Sequence, residues 1–360
     1  MPKPTFSLDW LLVFVPISLA VDLLTHQPVL VFLTSCLAII PLAGLIGRAT
    51  EQLAERSGPT VGGLLNATFG NVTELIIGIL LVRAGEFEVV KASLIGSIIG
   101  NLLLVLGASY FTGGLRHRAH GQRFDGRAAR AHSTGLLLAV AGMVMPAVVY
   151  LTPPSESASQ RESISLLVAL VLMVLYGLSL IGTLARNGNG RAVVGVTGQR
   201  AGLDAPAWSA TRAVLVLLAS AVLVGLESEL LVGSLEPTIS ALHLPHVFVG
   251  MFVIAFVGNV AEHASAVVFA LRNKMDIAIE IAFSSSAQIA LLVAPLLVFL
   301  SLLAPQPMDF IFIPIEVVAV TLSTLIVSVI AMDGRSNWLE GAQLLGVYAI
   351  LAVSTLFAST

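Results

Sequence analysis

Charged residues are scarce in this sequence: Asp, Glu, Lys and Arg make up only 11% of its 360 residues, whereas soluble domains carry about 25%. The net charge of −3 favours neither nucleic acid nor another polyanion as a partner. The single cysteine, Cys36, excludes an intramolecular disulfide and a Cys-based zinc site. His-Glu-x-x-His and Gly-x-Ser-x-Gly motifs are also absent, which argues against an enzyme of these hydrolase classes.

Long apolar runs take the place of charge, because 57% of the residues are hydrophobic. A bilayer core needs roughly 20 apolar residues per helix, and the number of apolar runs of about this length predicts about eleven transmembrane helices. The predicted spans are 8–25, 29–47, 60–84, 87–111, 133–151, 164–185, 211–232, 245–271, 275–303, 309–331 and 338–358. The fold class is therefore an all-α polytopic membrane protein.

The basic residues indicate the orientation. With eleven spans and a cytoplasmic N-terminus, 15 of the 18 Lys and Arg residues fall on the cytoplasmic side and three on the other. Cytoplasmic loops are enriched in Lys and Arg, so this asymmetry supports both the span count and the direction. It places the N-terminus inside and the C-terminus outside, and the short loops suit a prokaryotic cytoplasmic membrane.

An internal repeat is visible at an offset of 188 residues. Gly70-Asn71-Val72-Thr73-Glu74 recurs as Gly258-Asn259-Val260-Ala261-Glu262, and 6 of the 13 positions from 62 to 74 match. The motif lies in the predicted third and eighth spans, an offset of five spans, and because five is odd the two copies cross the membrane in opposite directions. Inverted repeats of this kind are typical of secondary transporters, with the site near the membrane midplane, although paired halves also occur in some channels.

Each motif places a glutamate deep in an apolar span. Glu74 lies about 14 residues into its span and Glu262 about 17 into its own, and no predicted span carries a Lys or Arg at similar depth. An ionised carboxylate there costs several kcal/mol unless it is paired, hydrated or neutralised. With an internal ion pair excluded, a bound proton or a bound cation remains as the way to cancel each charge.

The residues around the two glutamates offer further oxygen ligands. Asn71 and Asn259 precede them by three residues and share their helix faces. Gly70 and Gly258 permit a helix break or close packing. Two carboxylates and two amides suit a hard cation such as Ca²⁺, and the same carboxylates can carry protons, which is the logic of an antiporter.

Other polar residues of these spans have two interpretations. Ser97, Asn101, Ser285 and Gln288 can contribute to the site, but amides also join helices and serines also allow close packing. His263 follows Glu262 at about 100° around the helix, so packing or gating competes equally with proton handling.

The two motifs resemble the paired signatures of the calcium/proton exchanger family, within the cation/calcium antiporter superfamily. The first resemblance lies in Gly63-Leu64-Leu65-Asn66-Ala67-Thr68-Phe69-Gly70-Asn71 with Thr73-Glu74-Leu75-Ile76, and the second in Gly258-Asn259-Val260-Ala261-Glu262-His263-Ala264. Further likeness at 49–51, 273–276 and 285–290 extends the resemblance over most of the chain.

The resemblance implies a particular architecture and a particular site. One leading helix (1–26) is followed by a five-helix repeat (27–185), a cytoplasmic linker (186–209) and a second, inverted five-helix repeat (210–360). Glu74 and Glu262 alternately bind Ca²⁺ and protons, supported by Asn71, Asn259 and Gln288. Acidic residues flank the ion path, and the candidates are Glu51 and Glu229. Glu280 departs from the family, which has a small residue there, and is a third candidate.

The expected function is exchange of Ca²⁺ for H⁺ by alternating access. Ca²⁺ is then the transported substrate, and no cofactor is expected. The expected partners are Ca²⁺, H⁺ and the lipid bilayer, and the sequence is also compatible with a homo-oligomer. Sodium/calcium or another cation exchange is the alternative within transport, and a passive cation channel is the alternative outside it.

Overall fold

The structure is a computed structural model that describes residues 8–118, 121–150, 158–187 and 208–357. Within these ranges, ten helical segments are long and apolar enough to cross a membrane. They are Leu8–Thr25, Pro28–Gly58, Phe87–Arg116, Gly126–Val149, Gln160–Gly182, Ala210–Leu242, His246–Leu271, Met275–Ser301, Pro314–Asp333 and Trp338–Leu356. The predicted all-α polytopic membrane fold is confirmed. Most of the predicted linker, 186–209, lies outside the described residues.

Fourteen α-helices occupy the described ranges. They are α1 (Phe14–Thr25), α2 (Pro28–Phe69), α3 (Val72–Ala84), α4 (Phe87–Ile99), α5 (Leu106–Arg116), α6 (Gly126–Tyr150), α7 (Ala158–Asn187), α8 (Ala210–Leu242), α9 (His246–Phe248), α10 (Ala255–Leu271), α11 (Met275–Gln288), α12 (Ala294–Ser301), α13 (Pro314–Ile330) and α14 (Trp338–Leu356). Short 3₁₀ segments cover Leu8–Val13 and Ala331–Asp333, and π-helical segments cover Gly100–Val105, Val249–Ile254 and Ile289–Val293.

The predicted third span, 60–84, is not one continuous helix. The long helix α2 is kinked at Gly58, whose φ of 77° and ψ of 171° are non-helical, and it then continues to Phe69. Gly70 keeps helical dihedrals, with φ −58° and ψ −42°, and the backbone leaves the helix at Asn71 before α3 begins at Val72. Within the described residues, ten spans are continuous, and the predicted third span consists of two shorter pieces. Counting by helix length therefore gives ten spans, whereas counting the apolar runs of the sequence gives eleven.

Two buried apolar clusters divide the described helices unequally. The larger unites α3–α7 and α9–α14 and includes Phe32 of α2 and Leu235 of α8. The smaller holds Leu42 and Ile46 of α2 with Leu217 of α8, and the leading segment packs against it. The α2–α8 pair thus joins the main core near one membrane face and forms a cluster of its own near the other.

We call the latter face the basic side, because the Lys/Arg distribution predicts it to be cytoplasmic. There the guanidinium of Arg56 donates to the Trp208 carbonyl and so joins the end of the first part of α2 to the start of α8. On the opposite side Lys91 donates to Asp309 Oδ1 at 3.0 Å. A two-stranded antiparallel pairing of β1 (Gln122–Arg123) with β2 (Arg335–Ser336) joins the α5–α6 and α13–α14 connections.

Glycines let α4 cross the start of the second repeat at close range. A Cβ on Gly96 would lie 2.1 Å from the Met251 carbonyl oxygen, and one on Gly250 would lie 2.7 Å from Ala92 Cβ. Only a residue without Cβ fits at such a crossing. The contact brings the polar residues of α4 next to α10.

Candidate ion-binding site

At the helix break in the first repeat, the Asn71 side chain does not cap the helix that follows. Asn71 precedes α3, with φ −109° and ψ 27°, but its side chain does not cap that helix. Its Nδ2 instead donates to Gln288 Oε1 of α11 at 2.5 Å, and its Oδ1 accepts from Ser285 Oγ at 3.3 Å. An asparagine at this position commonly caps the first turn. Here it connects the two repeats.

Glu74 lies in the first turn of α3 and meets the other repeat at Gly258. A Cβ on Gly258 would come within 3.3 Å of Glu74 Cγ and 3.5 Å of Oε1, so the missing Cβ makes room for the carboxyl. The first turn of a helix carries unpaired N–H groups and a partial positive charge. The break therefore places Glu74 where an anion is favoured by the backbone itself.

The second repeat makes the corresponding contact without a break. Asn259 is fully buried within α10, and its Nδ2 donates to Ser97 Oγ of α4 at 2.9 Å and to the Ala255 carbonyl at 2.9 Å. Asn71–Ser285 and Asn259–Ser97 are related by the repeat offset of 188. Each asparagine thus bonds a serine of the other repeat, which is the pattern of a pseudo-twofold axis.

Glu262 faces the same centre from α10. The Ser285 hydroxyl is within hydrogen-bonding reach of its carboxyl, and the charges of Glu74 and Glu262 are close enough to interact. Glu262 Oε2 and Glu74 Oε2 are both buried and have no hydrogen-bond partner among the described residues, and the same holds for Asn259 Oδ1. Buried oxygens normally find a partner. Three unpaired oxygens around one centre fit a site for a cation or protons.

A cavity of about 280 Å³ leads to this centre from the basic side. It is lined by Leu8, Asp9, Pro41, Ala43, Gly44, Gly47, Arg48, Thr50, Glu51, Asn66, Gly70, Thr73, Gly258, Ala261, Glu262, Ala264, Ser265, Ile281, Ser284, Ser285 and Gln288. A second cavity, of about 10 Å³, touches Glu74 and Ser97 and extends to Ser93 of α4 and Leu297 of α12. Among the described residues, the site is thus open toward the basic side, and the second cavity is too small for a hydrated ion.

Two of the supporting residues predicted from sequence lie outside both cavities. Asn101 is fully buried in a π-helical segment, and neither atom of its amide has a hydrogen-bond partner among the described residues. The ring of His263 lies 5.8 Å from that of Phe256 and faces Gly100. Its two buried nitrogens have no partner in the described part of the chain. Their roles in ion binding stay predictions.

The candidate path carboxylates are in three different surroundings. Glu51 lines the large cavity. Glu229 makes an exposed ion pair with Arg83 at 3.7 Å, on the opposite side, and lines neither of the two cavities. Glu280 is partly buried near Asp276 and also lines neither cavity.

Sequence reasoning missed charged groups at both faces. Asp9 and Arg48 line the large cavity. On the opposite side, the ligand atoms of Glu86, Glu236 and His246 lie within 4.8 Å of one another. Burial and the neighbouring Glu236 raise the pKa of Glu86. The members of each cluster are far apart in the sequence, so no local sequence pattern indicated either cluster.

The fold defines a polytopic membrane protein, and the two carboxylates between its repeats form a candidate ion site. The family model described as sodium/calcium exchanger protein matches residues 27–185 and 212–357. The chain is 42% identical to a Ca(2+)/H(+) antiporter of Aphanothece halophytica, over 96% of this chain and 95% of the relative. It is 40% identical to the Ca(2+)/H(+) antiporter ChaA of Bacillus subtilis strain 168, over 94% and 95%. The chain belongs to the sodium/calcium exchanger protein family.

Solved structures share this architecture. The structure of native YfkE superposes with a TM-score of 0.85 at 36% identity, covering 98% of this chain and 100% of that one. The H+/Ca2+ exchanger CAX superposes with a TM-score of 0.72 at 17% identity, covering 99% and 89%, and shows the fold alone.

Proposed function

We propose that this protein is a secondary transporter, not an enzyme, that exchanges Ca²⁺ for H⁺ across a membrane. The observation that carries the proposal is the pair Glu74 and Glu262, held at one centre with unpaired oxygens. No basic side chain lines the small cavity beside Glu74. The relatives named Ca(2+)/H(+) antiporters support the choice of ions.

The proposed chemistry depends on the two carboxylates of Glu74 and Glu262, which lie in one largely buried site. Two adjacent anions repel each other strongly, so the pair is stable only when a cation or protons cancel the charge. A Ca²⁺ ion bound by Glu74 and Glu262 neutralises both, and Asn71, Asn259 and Gln288 are placed to position it or add oxygens. Ca²⁺ accepts six to eight oxygens in irregular geometry, with water completing the shell. Protons that bind the same oxygens displace the ion, which couples the two fluxes.

The packing supports alternating access. The basic-side cluster, formed by α2 and α8 with α1 packed against it, is distinct from the main core, although Leu8 and Leu11 before α1 also pack against that core. The large cavity opens on the basic side. A motion of these three helices against α3, α4, α10 and α11 would close this cavity and open the opposite side. The proposed domains are the leading helix, 27–185, the linker 186–209 and 210–360, with the two repeats inverted.

Transport in everted membrane vesicles tests the proposal. Wild-type protein should take up Ca²⁺ when a proton gradient is imposed, and should release protons when Ca²⁺ is added. Glu74→Gln and Glu262→Gln should each abolish exchange, because a neutral amide can neither balance the ion nor carry the proton. Glu88→Gln, which removes an exposed carboxylate of α4, is the matched control. Full exchange by either site variant would contradict the assignment, and uptake that follows sodium would favour sodium/calcium exchange instead.

Orientation and location follow as parts of the same proposal. The chain is an integral membrane protein, and its bacterial relatives suggest a cytoplasmic membrane. We place the N-terminus and the large cavity on the cytoplasmic side and the C-terminus outside. Reaction with an impermeant thiol reagent tests this, with one cysteine introduced at Arg272 or at Asp309 after Cys36 is replaced by serine. In intact cells only the variant at Asp309 should react.

A further inference from the structure

The leading segment contributes a charge to the mouth of the large cavity. Asp9 belongs to the 3₁₀ segment that precedes α1, and its Oδ1 lies 2.5 Å from Arg48 Nη2 of α2. Both side chains are about two-fifths exposed, and both line the cavity that reaches Glu262. The matched family region begins at residue 27, so Asp9 comes from outside both repeats.

Arg48 extends toward the ion path. Gly44 lies one turn before it on α2, and a Cβ there would lie 3.8 Å from Arg48 Nη1 and 3.8 Å from Ala261 Cβ. Ala261 directly precedes Glu262, so the guanidinium is close to the face of α10 that carries the site. Arg48 is the basic residue among those that line this cavity.

A positive charge at this position repels Ca²⁺, the proposed substrate, from the cavity. A unit charge roughly 9 Å from a divalent cation in a water-like dielectric changes its local concentration by about fivefold. The unit negative charge of Asp9, in contact with Arg48, cancels most of this field. Glu51 and Glu262 then leave the cavity lining acidic, as cation entry requires.

Resting on the proposed function, we propose that Asp9 is a specificity-determining residue that neutralises Arg48 and so sets the affinity for Ca²⁺ entering from the basic side. The ordinary alternative is that the pair only fixes the leading helix against α2. Exposed ion pairs contribute little to stability, so that alternative predicts small effects of the same sign for both partners.

Four variants separate the two roles through the sign of the change in KM for Ca²⁺, measured in everted vesicles. Asp9→Asn should raise KM about fivefold and Arg48→Gln should lower it by a similar factor. The double variant Asp9→Asn/Arg48→Gln and the exchanged pair Asp9→Arg/Arg48→Asp should both return KM near the wild-type value. The maximal rate should stay unchanged in all four, because the chemistry at Glu74 and Glu262 is untouched.

Two controls complete the experiment. Arg272→Gln removes an exposed charge on the same side, outside the cavity, and should leave KM unchanged. Raising the ionic strength should shrink the Asp9→Asn effect, since salt screens exposed charges. Thermal unfolding in detergent identifies variants that fail to fold, and where one single variant fails, the sign of the KM change in the other carries the test.

The outcomes are distinct. Opposite changes in KM for the two single variants support the inference. Changes of the same sign, or no change in a folded, active exchanger, overturn it while leaving Ca²⁺/H⁺ exchange intact. Absence of exchange in the wild-type protein overturns the proposed function instead.

Discussion

Replacing Gly258 by alanine should weaken Ca²⁺ binding without weakening the fold. The new Cβ would lie 3.3 Å from Glu74 Cγ and 3.5 Å from its Oε1, so the carboxyl must move by a few tenths of an ångström. Metal–ligand distances in proteins lie within about 0.2 Å of their ordinary values, so a shift of this size weakens the contact of the Glu74 carboxylate with a bound ion. We therefore expect a loss of about 1.4 kcal/mol in binding, which is about tenfold in KM for Ca²⁺.

Stability should change in the opposite direction. Gly258 lies inside α10, where alanine is favoured over glycine by about 0.5–1 kcal/mol, and the Glu74 side chain can yield. The melting temperature of Gly258→Ala in detergent should equal or exceed that of the wild-type protein. Weaker transport with a retained fold would show that the substitution acts on the site.

Two other glycines calibrate the measurement. Gly225 of α8 has no heavy atom within 4 Å of an added Cβ, so Gly225→Ala should leave KM unchanged. Gly96→Ala would place its Cβ 2.1 Å from the Met251 carbonyl and should lower the melting temperature. A wild-type KM for Gly258→Ala, measured as initial Ca²⁺ uptake against Ca²⁺ concentration, would refute the placement of Glu74 against Gly258 in the binding state.

Three further predictions follow. Ser97→Ala, Asn259→Ala and the double variant should show a coupling of about 1 kcal/mol in thermal unfolding, because a buried hydrogen bond joins the two side chains; additive effects would contradict this. Ca²⁺ at 100 times its Kd should stabilise the wild-type protein by about 2.7 kcal/mol, and Glu262→Gln should lose that gain; equal stabilisation of both proteins would exclude Glu262 as a ligand. Burial and Glu236 raise the pKa of Glu86 from 4.5, so its ionisation reduces stability as pH rises above that value. Glu86→Gln should therefore raise the melting temperature at pH 8 and not at pH 4, and a shift of equal size at both would refute the charge argument.

Local sequence indicates the candidate residues of the site but not their partners. The repeated Gly-Asn-x-x-Glu motif indicates Asn71, Glu74, Asn259 and Glu262, because an acidic residue in an apolar span needs a functional reason. The motif could not show that one copy breaks the helix and the other does not. Gly70 and Gly258 are chemically identical, and the difference depends on the kink at Gly58 and the neighbouring helices.

The sequence by itself determined that this protein crosses a membrane many times, in two related halves of opposite direction. Apolar run length, charge scarcity and the repeat suffice for that, because each depends only on the order of residues. Tertiary structure alone decided that Asn259 bonds Ser97, that Gly258 makes room for Glu74, and that Asp9 meets Arg48. These contacts join residues 39 to 184 positions apart, and helix packing, not local propensity, brings such residues together.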